Sequence, residues 1–212
     1  MIKGIIFDMD GVLADTEYFY IRRREAYLRL MGFSRKESNH FIGSNEKAIW
    51  ETMIPDDPVF RQEMMMGYRA YRKLHGIPYE KLANPQMVPL FRKMKEKGLL
   101  IGIASSSEIG AIRELLCSQK VEGLVDYMIS GEDCTAHKPD PEIYQRAMQG
   151  LGLTCEEAIA VEDSPTGIAA AKAAGMRVCG FRSGHEEIAL DQSQADWVIG
   201  ELEEALECVS LG

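Results

Sequence analysis

The chain has 212 residues, 46% hydrophobic and 27% charged, with a formal charge of −9. This composition suits one substantial globular domain, or one domain carrying a smaller insertion. The excess of acid argues against nucleic acid as a partner and against an anionic membrane surface, because both are polyanions. No apolar run approaches the roughly 20 residues that span a bilayer.

The N-terminal run Met1–Phe7 is too short for a secretory signal. Five cysteines, Cys117, Cys134, Cys155, Cys179 and Cys208, form no CxxC pair and are odd in number. They are expected to be small buried residues in a reducing, cytoplasmic setting rather than a disulfide or zinc framework.

Ile2–Phe7 is a short apolar run ending at Asp8, which suits a strand buried on both faces. From about residue 14 to 82 the pattern is helical, punctuated by Met31-Gly32, Ile54-Pro55-Asp56-Asp57-Pro58 and His75-Gly76-Ile77-Pro78. This stretch reads as an inserted helical cap domain over residues 14–82. Strand and helix then alternate. Helices are expected at Gln86–Lys97, Ile109–Gln119, Pro141–Leu151 and Pro165–Ala174. Strands are expected at Leu99–Ala104, Val125–Ser130, Ala158–Val161, Arg177–Phe181 and Asp196–Ile199. Pro141 and Pro165 suit a first helical turn, and Gly98 and Gly175 suit helix ends. The alternation predicts an α/β core over residues 1–13 and 83–212, built on a doubly wound parallel sheet.

Ligands of such sheets bind beyond the carboxyl ends of the strands. There this sequence places Asp8-Met9-Asp10-Gly11, Ser105-Ser106-Ser107 and Glu162-Asp163-Ser164, with Lys138 ahead of the helix at Pro141. Carboxylates gathered at one edge repel unless a cation joins them, and hard oxygen donors suit Mg²⁺. One aspartate of the first group can then attack phosphorus while the other moves a proton. Ser105 and Lys138 would hold phosphoryl oxygens.

These residues fall into four ordered groups: Asp8-Met9-Asp10-Gly11-Val12-Leu13-Ala14-Asp15-Thr16, Ile103-Ala104-Ser105, His137-Lys138-Pro139-Asp140-Pro141 and Val161-Glu162-Asp163-Ser164-Pro165-Thr166-Gly167. Together they resemble the four motifs of the haloacid dehalogenase superfamily, in the branch with a helical cap after the first strand. The resemblance implies a phosphatase in which Asp8 is the nucleophile and Asp10 the general acid/base. It also implies a Mg²⁺ ion on Asp8, the Asp10 carbonyl, Asp163 and Glu162, the last directly or through water. Ser105 and Lys138 would bind the phosphoryl group.

Dehalogenases of the family lack the second aspartate of the first motif, so Asp10 argues for a phosphate ester. The pattern is also similar to β-phosphoglucomutases, and that activity is the alternative. Those enzymes carry His where Tyr20 stands, an Arg shortly after the cap glycine, where Gly43-Ser44-Asn45 is followed here by Glu46, and Lys-Asn where Glu108-Ile109 stands. These departures favour hydrolysis of a small phosphorylated, sugar phosphate-like metabolite. Candidate substrate contacts are Tyr20, Arg23 and Arg24, which with Tyr27 share one helical face, together with Asn45 and Ser106. A non-catalytic binding module on the same fold is a remote third reading, disfavoured because every catalytic position is filled. A monomer is compatible with all of this.

Overall fold

Gly4–Phe7, four residues buried at every position, forms β1 in the computed structural model, which describes residues 1–33, 46–182 and 190–211. Five further strands join it: β2 Leu100–Ser105, β3 Tyr127–Ser130, β4 Ala158–Glu162, β5 Arg177–Phe181 and β6 Trp197–Ile199. Their order across the sheet is β3-β2-β1-β4-β5-β6, with every neighbouring pair parallel. The core is thus the doubly wound α/β fold that the alternation predicts. β2 and β4 each run one residue past their expected ends, which brings Ser105 and Glu162 into the sheet itself.

Parallel strands covered on both faces read as near-continuous apolar runs, and the packing bears this out. Ile6 packs into a cluster with Tyr144, Ala147, Ile168 and Val178. Two of the helices on that face are α7, Glu142–Leu151, and α8, Pro165–Ala173. Phe7 packs against Phe91 on another helix, α5, Met87–Glu96, with ring centroids 5.5 Å apart and the rings tilted at 44°. Ile6 is completely buried, so truncating it to Ala should cost about 2–5 kcal/mol. Further helices of the core are α6, Ile109–Gln119, and α9, Ala205–Leu211. Pro165 opens α8 at its first turn, and Ser164 caps it by accepting from Gly167 N–H at 3.1 Å. Pro141 is the cap of α7 rather than its first residue.

The chain divides into two compact units, Met1–Asp15 with Tyr79–Gly212, and Thr16–Pro78. The sequence alone put the junctions at 13/14 and 82/83. Ala14 bridges to both Asp10 and Ala83, and Asp15 N–H donates to Leu82 O at 2.8 Å. These outgoing and returning segments, with the short helix α4, Tyr79–Leu82, therefore belong to the sheet unit.

The second unit contains α1, Glu17–Leu30, α2, Glu46–Met53, and α3, Pro58–Leu74. It has its own core, in which Tyr27, Trp50 and Tyr68 are buried together. The Tyr27 hydroxyl donates to Met64 O at 3.2 Å. Gly67 allows that approach, since a Cβ there would lie 2.2 Å from the hydroxyl oxygen. Among the described residues no helix is long and apolar enough to cross a membrane.

Candidate active site

The strand sequence reverses direction at β1, with β2 on one side and β4 on the other. A doubly wound sheet opens its ligand crevice at such a point. Register aligns Phe7 with Val161, and Asp8 N–H continues the ladder by donating to Val161 O at 2.9 Å. Asp8 therefore leaves β1 beside Glu162, the last residue of β4, with Asp163 next. All three are buried.

Lys138 reaches into this group from the loop before α7. Its Nζ lies 2.5 Å from Asp8 Oδ1 and 2.5 Å from Glu162 Oε1, and donates to Ala104 O at 3.1 Å. Burial works against the ammonium, yet Asp8 and Glu162 beside it hold its pKa above the ordinary lysine value. Burial pushes the Asp8 carboxyl well above the usual carboxylate range. Lys138 opposes that shift, while Glu162 and Asp10 add to it. Tyr144, on α7, donates its hydroxyl to Glu162 Oε1 at 2.6 Å, and burial keeps the phenol protonated. Glu162 Oε2 accepts from Ser164 Oγ at 3.3 Å. Glu162 thus has internal partners for both oxygens.

The loop carrying Lys138 is itself anchored. Glu142 Oε2 accepts from Thr135 N–H at 2.8 Å, Thr135 Oγ1 at 2.7 Å and Ala136 N–H at 2.9 Å. These donors lower the Glu142 carboxyl to about 2, the Thr135 hydroxyl first.

One carboxylate oxygen each from Asp8, Glu162 and Asp163 lies within 4.8 Å of the others. Hard oxygens this close, with the buried Lys138 ammonium held by Asp8 and Glu162, make a donor set suited to a divalent cation such as Mg²⁺. The backbone makes room for it. Gly11 has φ +82°, and a Cβ there would sit 2.0 Å from Asp163 Oδ2. Glycine is needed for both reasons.

Asp10 lies half-buried beyond Asp8, and its Oδ2 accepts from Ser107 Oγ at 2.6 Å. Ser107 O in turn accepts from the buried Ser130 hydroxyl at 2.7 Å. Ser105 is fully buried, its Oγ accepting from Ser107 N–H at 3.1 Å. Ser106 is exposed. Ser107, Tyr144 and Gln192, whose Nε2 donates to Asp163 O at 2.8 Å, lie outside the candidate residues that the sequence motifs name. The spacing of Tyr144 after Lys138 is a weak signal. Gln192 sits in a polar stretch that carries none.

In the helical unit, Tyr20 is half-buried and Arg23 and Arg24 are buried. Arg23 Nη1 donates to His75 O at 3.0 Å, and its guanidinium lies over the rings of Phe19 and Tyr20 at 5.1 and 5.3 Å. Arg24 lies over the Tyr68 ring at 5.8 Å. These contacts of Arg23 thus lie within its own unit. Asn45 lies outside the described residues. Glu46 pairs with Arg72 at 2.5 Å and Arg69 at 3.7 Å, so its charge is matched locally.

The profile of the haloacid dehalogenase-like hydrolases matches residues 5–181. The validoxylamine A 7'-phosphate phosphatase of Streptomyces hygroscopicus subsp. limoneus is 30% identical over 213 aligned positions, covering 96% of both chains. Hexitol phosphatase B of Escherichia coli is 29% identical over 182, covering 83% of this chain and 82% of its own. The crystal structure of β-phosphoglucomutase from Clostridium difficile superposes with a TM-score of 0.79 at 23% identity, over 100% of this chain and 96% of that one, a likeness of fold.

Proposed function

The chain belongs to the haloacid dehalogenase-like hydrolase family, and on that premise we propose that it hydrolyses a small, sugar phosphate-like monoester through a phosphorylated Asp8. The observation that carries this reading is the Asp8 carboxylate, gripped by Lys138 inside a cluster of buried acids.

Lys138 holds Oδ1 of Asp8, which leaves Oδ2 to attack phosphorus. The new Oδ2–P bond forms as the ester P–O bond breaks, and Asp10 delivers a proton to the departing alcohol oxygen. Water then attacks phosphorus, Asp10 takes its proton, and the Oδ2–P bond breaks to release phosphate and restore Asp8. Ser105 and Lys138 stabilise the phosphoryl oxygens through both steps. Asp8, Asp163 and the Asp10 carbonyl would hold Mg²⁺, with Glu162 beside them. When bound, the ion neutralises carboxylate and phosphoryl charge that would otherwise repel.

Two relatives of nearly full or four-fifths coverage are phosphatases by name, one for a validoxylamine phosphate and one for hexitols. A mutase reading gains one observation: Glu46, standing where the mutases carry a cation, is neutralised by Arg69 and Arg72.

The test is a screen of about a hundred phosphorylated metabolites with Mg²⁺, scored by phosphate release. It includes β-glucose 1-phosphate with a trace of the 1,6-bisphosphate. Phosphate release from sugar or polyol phosphates supports the reading. Rapid glucose 6-phosphate formation with little free phosphate would overturn it in favour of the mutase.

A further inference from the structure

A carboxamide outside all four motifs is tied into the acidic cluster. Gln192, between β5 and β6, is 9% exposed. Its Nε2 donates to Asp163 O at 2.8 Å and to Phe181 O at 2.7 Å. The β4–β5 register ends with Glu162 opposite Gly180, so Asp163 and Phe181 are the next pair in line. A single NH₂ group thus joins the two carbonyls just where the ladder stops.

The amide has only one workable orientation. Turned over, its oxygen would face two carbonyl oxygens. As it stands, Oε1 is buried with no hydrogen-bond partner among the described residues. A buried acceptor left unmade is a cost, and the two donated bonds are what it secures. Gly180 gives way to this side chain, since a Cβ there would lie 3.1 Å from Oε1.

The Asp163 peptide is held from its other side as well. Ser164, the next residue, caps α8. An aspartate carboxylate is only two rotatable bonds from its backbone, so fixing that peptide fixes where the carboxylate can reach.

We propose that Gln192 is a positioning residue for Asp163, holding the carboxylate where it binds the divalent cation. This rests on the reading of Asp163 as a metal ligand. Partners that orient a metal ligand typically alter metal affinity by about 10–100-fold when removed.

The experiment measures Mn²⁺ binding to the full-length protein by electron paramagnetic resonance of the free ion, with melting followed separately in EDTA. Gln192→Met keeps the shape and loses both donated bonds. Its Mn²⁺ dissociation constant should rise about 10–100-fold, with substrate KM at saturating Mg²⁺ within about twofold of the parent. Gln192→Glu, which sets a carboxylate against two carbonyls, should lose at least as much. Unchanged Mn²⁺ affinity with a lowered melting temperature would make Gln192 a stitch at the sheet end and sink the proposal. Gln192→Asn keeps the amide but is one methylene short, and decides the matter if the Met variant does not fold: weakened Mn²⁺ binding supports the role and parental binding overturns it. Asp163→Asn separates the two readings. If it binds Mn²⁺ like the parent, the ligand role of Asp163 fails and this inference falls with it. If it loses Mn²⁺ while Gln192→Met does not, only the inference fails.

Discussion

Lys138 Nζ lies 2.5 Å from Glu162 Oε1, and the Glu162 side chain is completely buried. The same ammonium touches Asp8 at 2.5 Å. Removing the cation strands two buried carboxylates side by side, and breaking a buried pair typically costs about 3–5 kcal/mol. For a chain of this size Lys138→Met should lower Tm by roughly 10 °C and abolish turnover. The double variant Lys138→Met, Glu162→Gln should recover part of the Tm but no activity. Calorimetry on both variants checks this; a double variant no more stable than the single one excludes the pair as the cause.

Asp8 sits where burial and two neighbouring acids disfavour its charge. A divalent cation relieves that crowding, so Mg²⁺ at about 100 times its dissociation constant should stabilise the parent by about 2.7 kcal/mol. Asp163→Asn should lose most of this gain. Asp8→Asn should keep the fold and have no turnover, and beryllium fluoride should inhibit the parent but not bind that variant. Full activity of the parent in EDTA, or of Asp8→Asn, contradicts the mechanism.

Gly11 combines φ +82° with a contact that leaves no room for a side chain. Gly11→Ala meets backbone strain on the order of 1–3 kcal/mol and drives a methyl group into the Asp163 carboxylate. The expected outcome is a lower Tm together with a Mg²⁺ half-saturation raised at least about tenfold. A loss of stability with unchanged Mg²⁺ dependence would show that the carboxylate simply moves aside.

Asp10 accepts from Ser107 at 2.6 Å, which fixes the orientation of the acid. Asp10→Asn should slow single-turnover phosphorylation far more with an alkyl phosphate than with p-nitrophenyl phosphate, because a nitrophenolate leaves with little need of a proton. Ser107→Ala should follow the same ranking more mildly, about tenfold for the alkyl ester, as befits one hydrogen bond to a charged group. Equal losses on the two esters in that step remove Asp10 from the acid role.

Glu142 holds the Thr135–Ala136 backbone that leads to Lys138, with its carboxyl lowered to about 2. A folded-state pKa below the unfolded value near 4.5 contributes stability above pH 4.5. That contribution is lost as pH falls toward 2. Glu142→Gln should therefore be less stable than the parent at neutral pH and show a shallower decline of Tm from pH 4.5 downwards. Parallel Tm curves would show that the carboxylate does no such anchoring.

The four central strands, β2, β1, β4 and β5, were legible because they are buried on both faces, which leaves an unbroken apolar run such as Ile101–Ala104 or Ala158–Val161. Helix ends were legible where proline or glycine marks them, as at Pro165 and Gly175. The strands stop at chemistry for the same reason: Asp8, Asp10, Glu162 and Asp163 stand where the apolar runs end, so local pattern places them at one edge of the sheet. What local pattern does not carry is which groups meet there. Lys138 reaches Asp8 across 130 residues of chain. Ser107 finds Asp10, Tyr144 finds Glu162, and Gln192 finds Asp163, each through the order of the strands rather than any spacing. Arg23 has the look of a cationic contact in a helical repeat, yet its guanidinium is taken up by Tyr68 and His75 O. A run of residues encodes whether it is buried, because burial repeats with the period of the element. The partner of a polar side chain is set by register and crossover, which exist only once the sheet has formed.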